Sequence, residues 1–324
     1  MKGVREEGAA LLAVLLLVAA MSALAVGVMD DMRFGIRREE NAETIGQAQW
    51  YALGAETMAR QRLVMLTGAG GAARAKSLNG QWLQFPIDNG ILRARIASAT
   101  ECFNLNSVVQ GATENFIKRE EGVAQFAALM KALGIAEGTA ASLSEALADW
   151  IDSDAARNTQ GAEDDSYIAL KPAYRTSGTL LSEASELRAI RGFTPDLYAR
   201  IRPFVCALPF AALSPMNINL LSPEKPELIA MLLANAVDKE TVRRALLARP
   251  ANGWKTTDDF WKQPSLRNHL PGDAALSQLV LTSRFYTVEA AVDYAGKEAI
   301  LTSLFEQGGS GVFRLAARRW TIDE

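Results

Sequence analysis

The amino-terminal part of the chain, as far as Leu66, divides by charge into two halves of one helix. From Ala9 to Met29 run 21 consecutive residues without a formal charge, nearly all Ala, Leu, Val or Met. At 1.5 Å per residue the run is about 30 Å long, the thickness of a bilayer's hydrocarbon core. Charges return at Asp30, yet no proline follows. The apolar positions keep helical spacing, so that Phe34, Ile45, Ala48, Ala52, Ala55, Met58, Ala59, Leu63 and Leu66 share one broad face. The pattern predicts a single rod from Ala9 to Leu66, on the order of 85 Å long, half in lipid and half standing on a folded domain. A secretory signal has a shorter apolar region followed by a small-residue cleavage site, and none follows here.

Beyond the rod the periodicity changes twice. A glycine-rich connection from Gly68 to Gly80 leads to the turn Asp88-Asn89-Gly90 and to "ILRARIAS", which alternates apolar and polar positions as a half-buried strand does. From Glu114 the spacing becomes helical, with two amphipathic stretches in "FAALMKALGIAEGTAASLSEALADWIDSD" broken at Gly134 and Gly138. Strand character returns at "RFYTVEAAVDYAG", "KEAILTSLFEQ" and "GVFRLAARRW", punctuated by Gly296 and the run Gly308 to Gly311. The order predicts an α+β fold in which a helical domain is inserted into an antiparallel sheet packed on the rod. The expected divisions are 1–8, 9–29, 30–107, an inserted α-domain at 108–280, and closing strands at 281–324.

Composition narrows the chemistry. The 324 residues carry a formal net charge of -3. Lys2 and Arg5 balance Glu6 and Glu7, so the whole excess sits beyond the apolar run. That balance argues against a protein built to grip phosphate backbones. One histidine and two distant cysteines cannot assemble a structural zinc site. His269, in "LRNHLPGD", reads as a solvated loop residue rather than a catalytic base. No nucleophile or activating histidine accompanies the acidic residues, so no enzyme is expected.

Three further signals lie in the helical block. "DWIDSDAARNTQGAEDDSYIAL" crowds Asp149, Asp152, Asp154, Glu163, Asp164 and Asp165 into one short stretch. Flexible acidic loops supply the six to eight oxygens that a hard cation takes, although the spacing is not that of an EF-hand; a solvated acidic loop is the other reading. "ELRAIRGFTPDLYARIRPF" and "MNINLLSPEKPELIAMLLANAV" look like helix-hairpin-helix units. Gly192 with Arg188, Arg191, Arg200 and Arg202 makes a membrane-tethered DNA-binding envelope protein the rival function, while the acidic chain favours hairpins used as scaffold. Trp254, Phe260 and Trp261 form either a partner patch or, more commonly, a point of core closure.

Gly8 followed directly by the apolar run resembles a type IV pilin-like (class III) signal. In that family prepilin peptidase cuts after the glycine, here Gly8, and methylates the new amino terminus, here Ala9. Most pilins carry glutamate at the fifth mature position, which is Ala13 here. Glu6 and Glu7 also depart from the basic leader of the family. The alanine, together with "QWYALGAE", "CFNLN", "DWIDSD…GAED", "SELR…G", "VCALP" and "NINL" in that order, resembles the protein K family of large minor pseudopilins of type II secretion. The resemblance covers nearly the whole chain. It implies a pilin-like fold, no enzymatic activity and no nucleic-acid partner. It further implies a single-pass inner-membrane protein with its carboxy-terminal domain in the periplasm. Such a subunit sits at the pseudopilus tip with minor pseudopilins I and J and nucleates assembly for export of folded proteins across the outer membrane. The major pseudopilin, prepilin peptidase, secretin and cargo are further contacts. Calcium is the implied ligand, held by Asp152, Asp154, Glu163 and Asp164, with Asp149, Asp165 and Glu186 as additional candidates. Cys102 and Cys206 stand in the family's cysteine contexts and, in an oxidising compartment, read as a disulfide. The alternative is two separate buried thiols.

Overall fold

A computed structural model describes residues 3–67, 77–113, 115–309 and 311–321. Helix α1 runs unbroken from Gly3–Thr67. Gly8 and Ala9, the expected processing pair, lie within it. Met1, Lys2 and most of the glycine-rich connection fall outside the described residues. It is the one helix among the described residues long and apolar enough to cross a membrane.

Five strands form one antiparallel sheet in chain order: β1 (Leu83–Ile87), β2 (Gly90–Ser98), β3 (Phe285–Tyr294), β4 (Lys297–Gln307) and β5 (Phe313–Arg319). Asp88 and Asn89 form the two-residue turn between β1 and β2, and Asn89 takes a left-handed φ of 56°. Ala295 and Gly296, both at positive φ, turn β3 into β4, the conformation that two-residue hairpins favour. Strands β2 and β3 are sequence-distant but pair directly, from Gly90↔Tyr294 to Ser98↔Tyr286. The chain leaves the sheet at one corner and re-enters beside the same point, so the meander tolerates the insertion.

The helix face that meets the sheet is narrower than its sequence pattern. Ala48, Ala52, Ala55, Ala59, Leu63 and Leu66 are buried, whereas Phe34, Ile45 and Met58 are exposed. Phe34 and Ile45 precede the covered stretch, and Met58 lies outside the i, i+3/i+4 row that the alanines trace. Four alanines let the helix approach the sheet closely. Ala48, Ala52 and Ala55 pack with Leu92, Ala290, Val292 and Leu301, and Ala59 and Leu63 pack with Tyr286, Val288 and Phe305. Towards its carboxy end α1 therefore meets β3 residues ever closer to Phe285. The corner where the insertion leaves the sheet is at the end away from the apolar run.

The sheet's pairing stops at Ser98 and resumes at Phe285, so the inserted segment extends beyond the 108–280 read from the sequence. Glu101 through Asn106 carry no helical spacing but belong to the insert, where Phe103–Asn104 pairs in parallel with Val205–Cys206. Helices α2 (Glu120–Ala132) and α3 (Glu137–Ile151) are followed by the short α4 (Asp164–Ile168) and α5 (Pro195–Ile201). One apolar core joins them, from Phe103 and Phe126 through Leu147 and Ile151 to Leu228 and Leu279.

The two hairpins are scaffold. A Cβ on Gly192 would come 2.8 Å from Leu143 Cδ2, so the first turn sits against α3. Its arginines serve neighbours within the chain: Arg200 bonds the Leu133 carbonyl, Arg191 Nη1 donates to Ser166 Oγ at 3.3 Å, and Arg188 lies over the Tyr198 ring. The second turn uses Ala234 and Asn235 at positive φ, and Asn235 Nδ2 donates to the Ala128 carbonyl at 2.9 Å. Phe260 and Trp261 are buried beside Trp254, which places this aromatic group in core closure rather than in a surface patch.

Candidate metal centre

Helix α3 delivers the acidic residues. Its last turn carries Asp149, Asp152 caps its end in an extended conformation, and the loop returns through Gly161 to Glu163, which precedes α4. The carboxy end of a helix carries partial negative charge. Carboxylates gathered there repel both one another and the helix end, a repulsion that a bound cation would relieve.

Asp149 organises the loop. It is fully buried and accepts the Asn158 amide at 3.2 Å, and Asn158 Nδ2 also donates to it. A Cβ at Gly161 would fall 2.0 Å from Asp149 Oδ2. Only glycine lets the loop backbone pass that close. Burial pushes the Asp149 carboxyl up, and the Asn158 hydrogen bonds pull it back.

Asp152, Asp154 and Glu163 converge, each offering an oxygen within 4.8 Å of the others. Asp154 is exposed and accepts the Ala156 amide at 2.7 Å. Asp152 and Glu163 are 3% and 5% exposed, and Asp152 Oδ1 and Glu163 Oε1 have no hydrogen-bond partner. A buried carboxylate oxygen left unbonded is costly. Burial first, and then the neighbouring carboxylates Asp154, Asp149 and Glu163, push Asp152 up to about 7. Burial and then Asp149 push Glu163 up to about 7 as well. Both would be held as ordinary carboxylates by a cation. The donor set, all oxygen and strongly anionic, suits a hard cation rather than a transition metal.

Asp164, Asp165 and Glu186 are engaged by other partners. Asp164 Oδ1 accepts the Thr176 amide at 2.9 Å and its hydroxyl at 3.0 Å, and Asp164 Oδ2 pairs with Arg175 at 3.0 Å. These contacts, the Thr176 amide first, hold Asp164 below the usual carboxylate range. Asp165 pairs with Arg157 at 3.4 Å on the surface. Glu186 closes a capping box, accepting the amides of Ser182 and Glu183 at 2.7 and 3.0 Å. Sequence spacing could not separate these roles, because successive residues at a helix start point in different directions. Beneath the loop Trp150, Tyr167 and Tyr174 cluster, with ring centroids 5.2 to 6.1 Å apart and the tryptophan edge-on to both tyrosines. That cluster fixes the ends of α3 and α4.

A second brace lies across the insert. Cys102 and Cys206 are joined by a disulfide with Cα atoms 5.8 Å apart. A third, which the sequence did not disclose, ties α1 to the sheet: Glu56, 7% exposed, takes Arg318 through two hydrogen bonds of 2.7 and 2.9 Å and the Ser303 hydroxyl at 2.5 Å. Burial alone would raise the Glu56 carboxyl, but the Arg318 and Ser303 bonds hold it below its ordinary value.

The comparisons with known proteins agree with this architecture. Family profiles described as type II secretion system (T2SS), protein K, match residues 101–210 and 216–282. The chain is 34% identical to type II secretion system protein K of Pectobacterium carotovorum, over 95% of this chain and 94% of that protein. It is 33% identical to the Klebsiella pneumoniae protein of the same description, over 99% of each. Among solved structures, one from the GspK-GspI-GspJ complex of the enterotoxigenic Escherichia coli type 2 secretion system covers 88% of this chain and 99% of its own. It superposes with a TM-score of 0.74 at 26% identity. A bilayer-length stem, a pilin-like sheet carrying a disulfide-braced helical insert, and these near-full-length matches lead to one assignment: this chain belongs to the type II secretion system protein K family.

Proposed function

We propose that this chain is the minor pseudopilin at the tip of the type II pseudopilus. There it nucleates assembly with minor pseudopilins I and J. The observation that carries this reading is the corner at which the insert leaves the sheet. Ser98 pairs with Tyr286 beside the carboxy-terminal part of α1, so the insert crowns the end opposite the membrane-length run. A crown there leaves no room for a subunit stacked above it, while the stem remains open to neighbours below. Beyond Met29 the stem still exposes Met32, Phe34, Ile36, Trp50, Met58, Val64 and Met65. Lipid does not cover these residues, but the stems of adjacent pilin-like subunits would. The solved neighbour comes from a complex of the K, I and J proteins.

On this reading prepilin peptidase cuts after Gly8, Ala9 becomes the methylated amino terminus, and the chain is held in the inner membrane with its folded part in the periplasm. Asp152, Asp154 and Glu163 hold calcium, which neutralises the carboxylates at the end of α3 and locks the loop. Calcium supplies charge compensation there and no chemistry. The full chain, co-expressed with minor pseudopilins I and J of the same secretion system, is expected to co-purify with both in detergent. Separate elution of the three proteins would contradict the tip complex. The mature chain should have the mass of one beginning at methylated Ala9; an intact Met1 contradicts the processing.

A further inference from the structure

Helix α1 leaves one side of the sheet face uncovered. It lies over β3 and β4, against Val288, Ala290, Val292 and Leu301, and touches β2 at Leu92. The same face continues onto β1, where Leu83 pairs with Ala94, Phe85 with Leu92 and Ile87 with Gly90. Residues opposite one another in a ladder share a face. Leu83 and Phe85 therefore look the same way as buried Leu92, yet they are 43% and 40% exposed. With α1 they enclose a groove of about 720 Å³.

The helical wall of the groove is a single row, Gln47, Tyr51, Gly54, Met58 and Arg62, spaced by threes and fours as one face of a helix is. At 1.5 Å per residue the row is about 22 Å long. Gly54 is a notch in it. One turn away on either side stand Trp50 and Met58, 71% and 67% exposed, and a Cβ on Gly54 would meet nothing within 4 Å. Glycine weakens a helix interior, and neither a close neighbour nor a left-handed φ within this chain requires it here.

The width of the groove selects its occupant. Neighbouring strands lie about 4.8 Å apart, so the midline of β1 and β2 is two spacings, roughly 10 Å, from the midline of β3 and β4 under α1. Packed helices stand about 8–10 Å apart. The shelf takes one more helix alongside α1. A strand added to β1 is disfavoured, because that strand contains Pro86, and a proline in a paired strand turns its donor-less side to the free edge. Trp50, Met58, Leu83 and Phe85 together expose roughly 400–500 Å² of apolar surface, about half of what one partner buries in a standard interface. The row runs along α1, which continues into the bilayer-length run, so a helix filling the groove at this level runs beside a membrane-anchored stem. Exposed Arg62 marks the upper end.

We propose, on the pseudopilin reading of this chain, that the groove seats the stem helix of one neighbouring minor pseudopilin. That helix lays an apolar stripe over Leu83 and Phe85, sets a large side chain into the notch at Gly54 and turns an acidic residue to Arg62.

The test uses the full chain in detergent with minor pseudopilins I and J, as the unaltered protein and as Gly54→Leu and Phe85→Lys variants. Leucine at 54 enters open space and favours the helix. That variant should melt at or slightly above the unaltered chain while its affinity for the partner falls about tenfold. Phe85→Lys should weaken binding several-fold. A photo-crosslinking residue at Leu83 should join to the stem helix of the partner whose binding the two variants weaken. Undiminished affinity in either variant overturns the groove and leaves the pseudopilin reading intact. So does a crosslink formed within this chain, to a second copy of it, or to a partner's globular part. Failure of the unaltered chain to bind either partner would instead remove that reading, and the proposal with it.

Discussion

The stem with its sheet and the inserted domain are stabilised in different ways. Helix α1 lies on the sheet through a row of alanines and leucines, and its core is two small patches of eight and six buried residues. Much of the specificity there rests on one buried carboxylate, Glu56. Among its described residues the insert has no helix longer than 15 residues, yet it closes one continuous core, a disulfide and an acidic loop. A thin body on a long helix keeps its stem available to neighbours. A self-contained insert can be added at one corner of the sheet without disturbing the pairing of β2 with β3. This pairing of a slender stem with an independent crown suits a subunit at the end of a filament.

The comparison can be broken from the insert side first. Replacing Cys102 and Cys206 by serine releases a loop closed over a separation of 104 residues. In the loop-entropy model this costs up to about 4–5 kcal/mol. Thermal unfolding followed by hydrogen exchange should show the insert opening early while β2–β4 stay protected; simultaneous loss of both regions would show that they are one cooperative unit.

Calcium comes next. A chelator is expected to lower the melting point of the insert by the equivalent of about 3 kcal/mol when calcium had been present at a hundredfold excess over its dissociation constant. An Asp152→Asn/Asp154→Asn variant should be insensitive to both calcium and chelator. Asp164→Asn should keep the calcium response, because that carboxylate serves Thr176 and Arg175. Loss of the response in Asp164→Asn would restore Asp164 to the ligand set.

From the stem side, Glu56→Gln leaves Arg318 without its charge partner and weakens the docking of α1. Arg318 is 39% exposed at its side chain, so water recovers part of the loss and about 1–2 kcal/mol is expected. Here exchange should rise in β4 and β5 and stay unchanged in the insert, the reverse of the cysteine variant.

The remaining effect is with pH. In the metal-free chain Asp152 and Glu163 stand at about 7 when folded, above their unfolded values near 4. The folded state therefore binds more protons across this interval, and stability present below about pH 4 is lost as pH rises to about 7. The chelated protein should melt lower at pH 7.5 than at pH 5.5 for this reason, and calcium should flatten the slope. A chelated chain that gains stability over that range would contradict the carboxylate cluster.

The sequence revealed the elements with strong periodicity and the residues whose roles are local. The apolar run, the alternation in β2 and the turns at Asn89 and Gly296 are short-range patterns, and they folded as read. The crowding of carboxylates was equally visible. Which of them converge was not, because a change of one position at the start of α4 turns Asp164 away from Glu163. Phe34 and Ile45 shared the alanine row's character but not its cover, since the extent of the sheet under α1 is set by β3 and β4, which lie on the far side of the insert in the chain, while Met58 falls beside the row rather than in it. The Glu56–Arg318 pair, separated by 262 residues, has no local signature.

The most direct test of the crown is to count copies. Native mass spectrometry of detergent-solubilised assemblies formed with minor pseudopilins I and J should show one copy of this chain in every complex, however many other pilin-like subunits are present. A chain in which 99–284 is replaced by an Asn-Gly turn, which joins β2 to β3 directly, should be free to appear more than once. Assemblies of the unaltered protein holding two or more copies in one stack would contradict the account, because the insert would then not close the end of the filament.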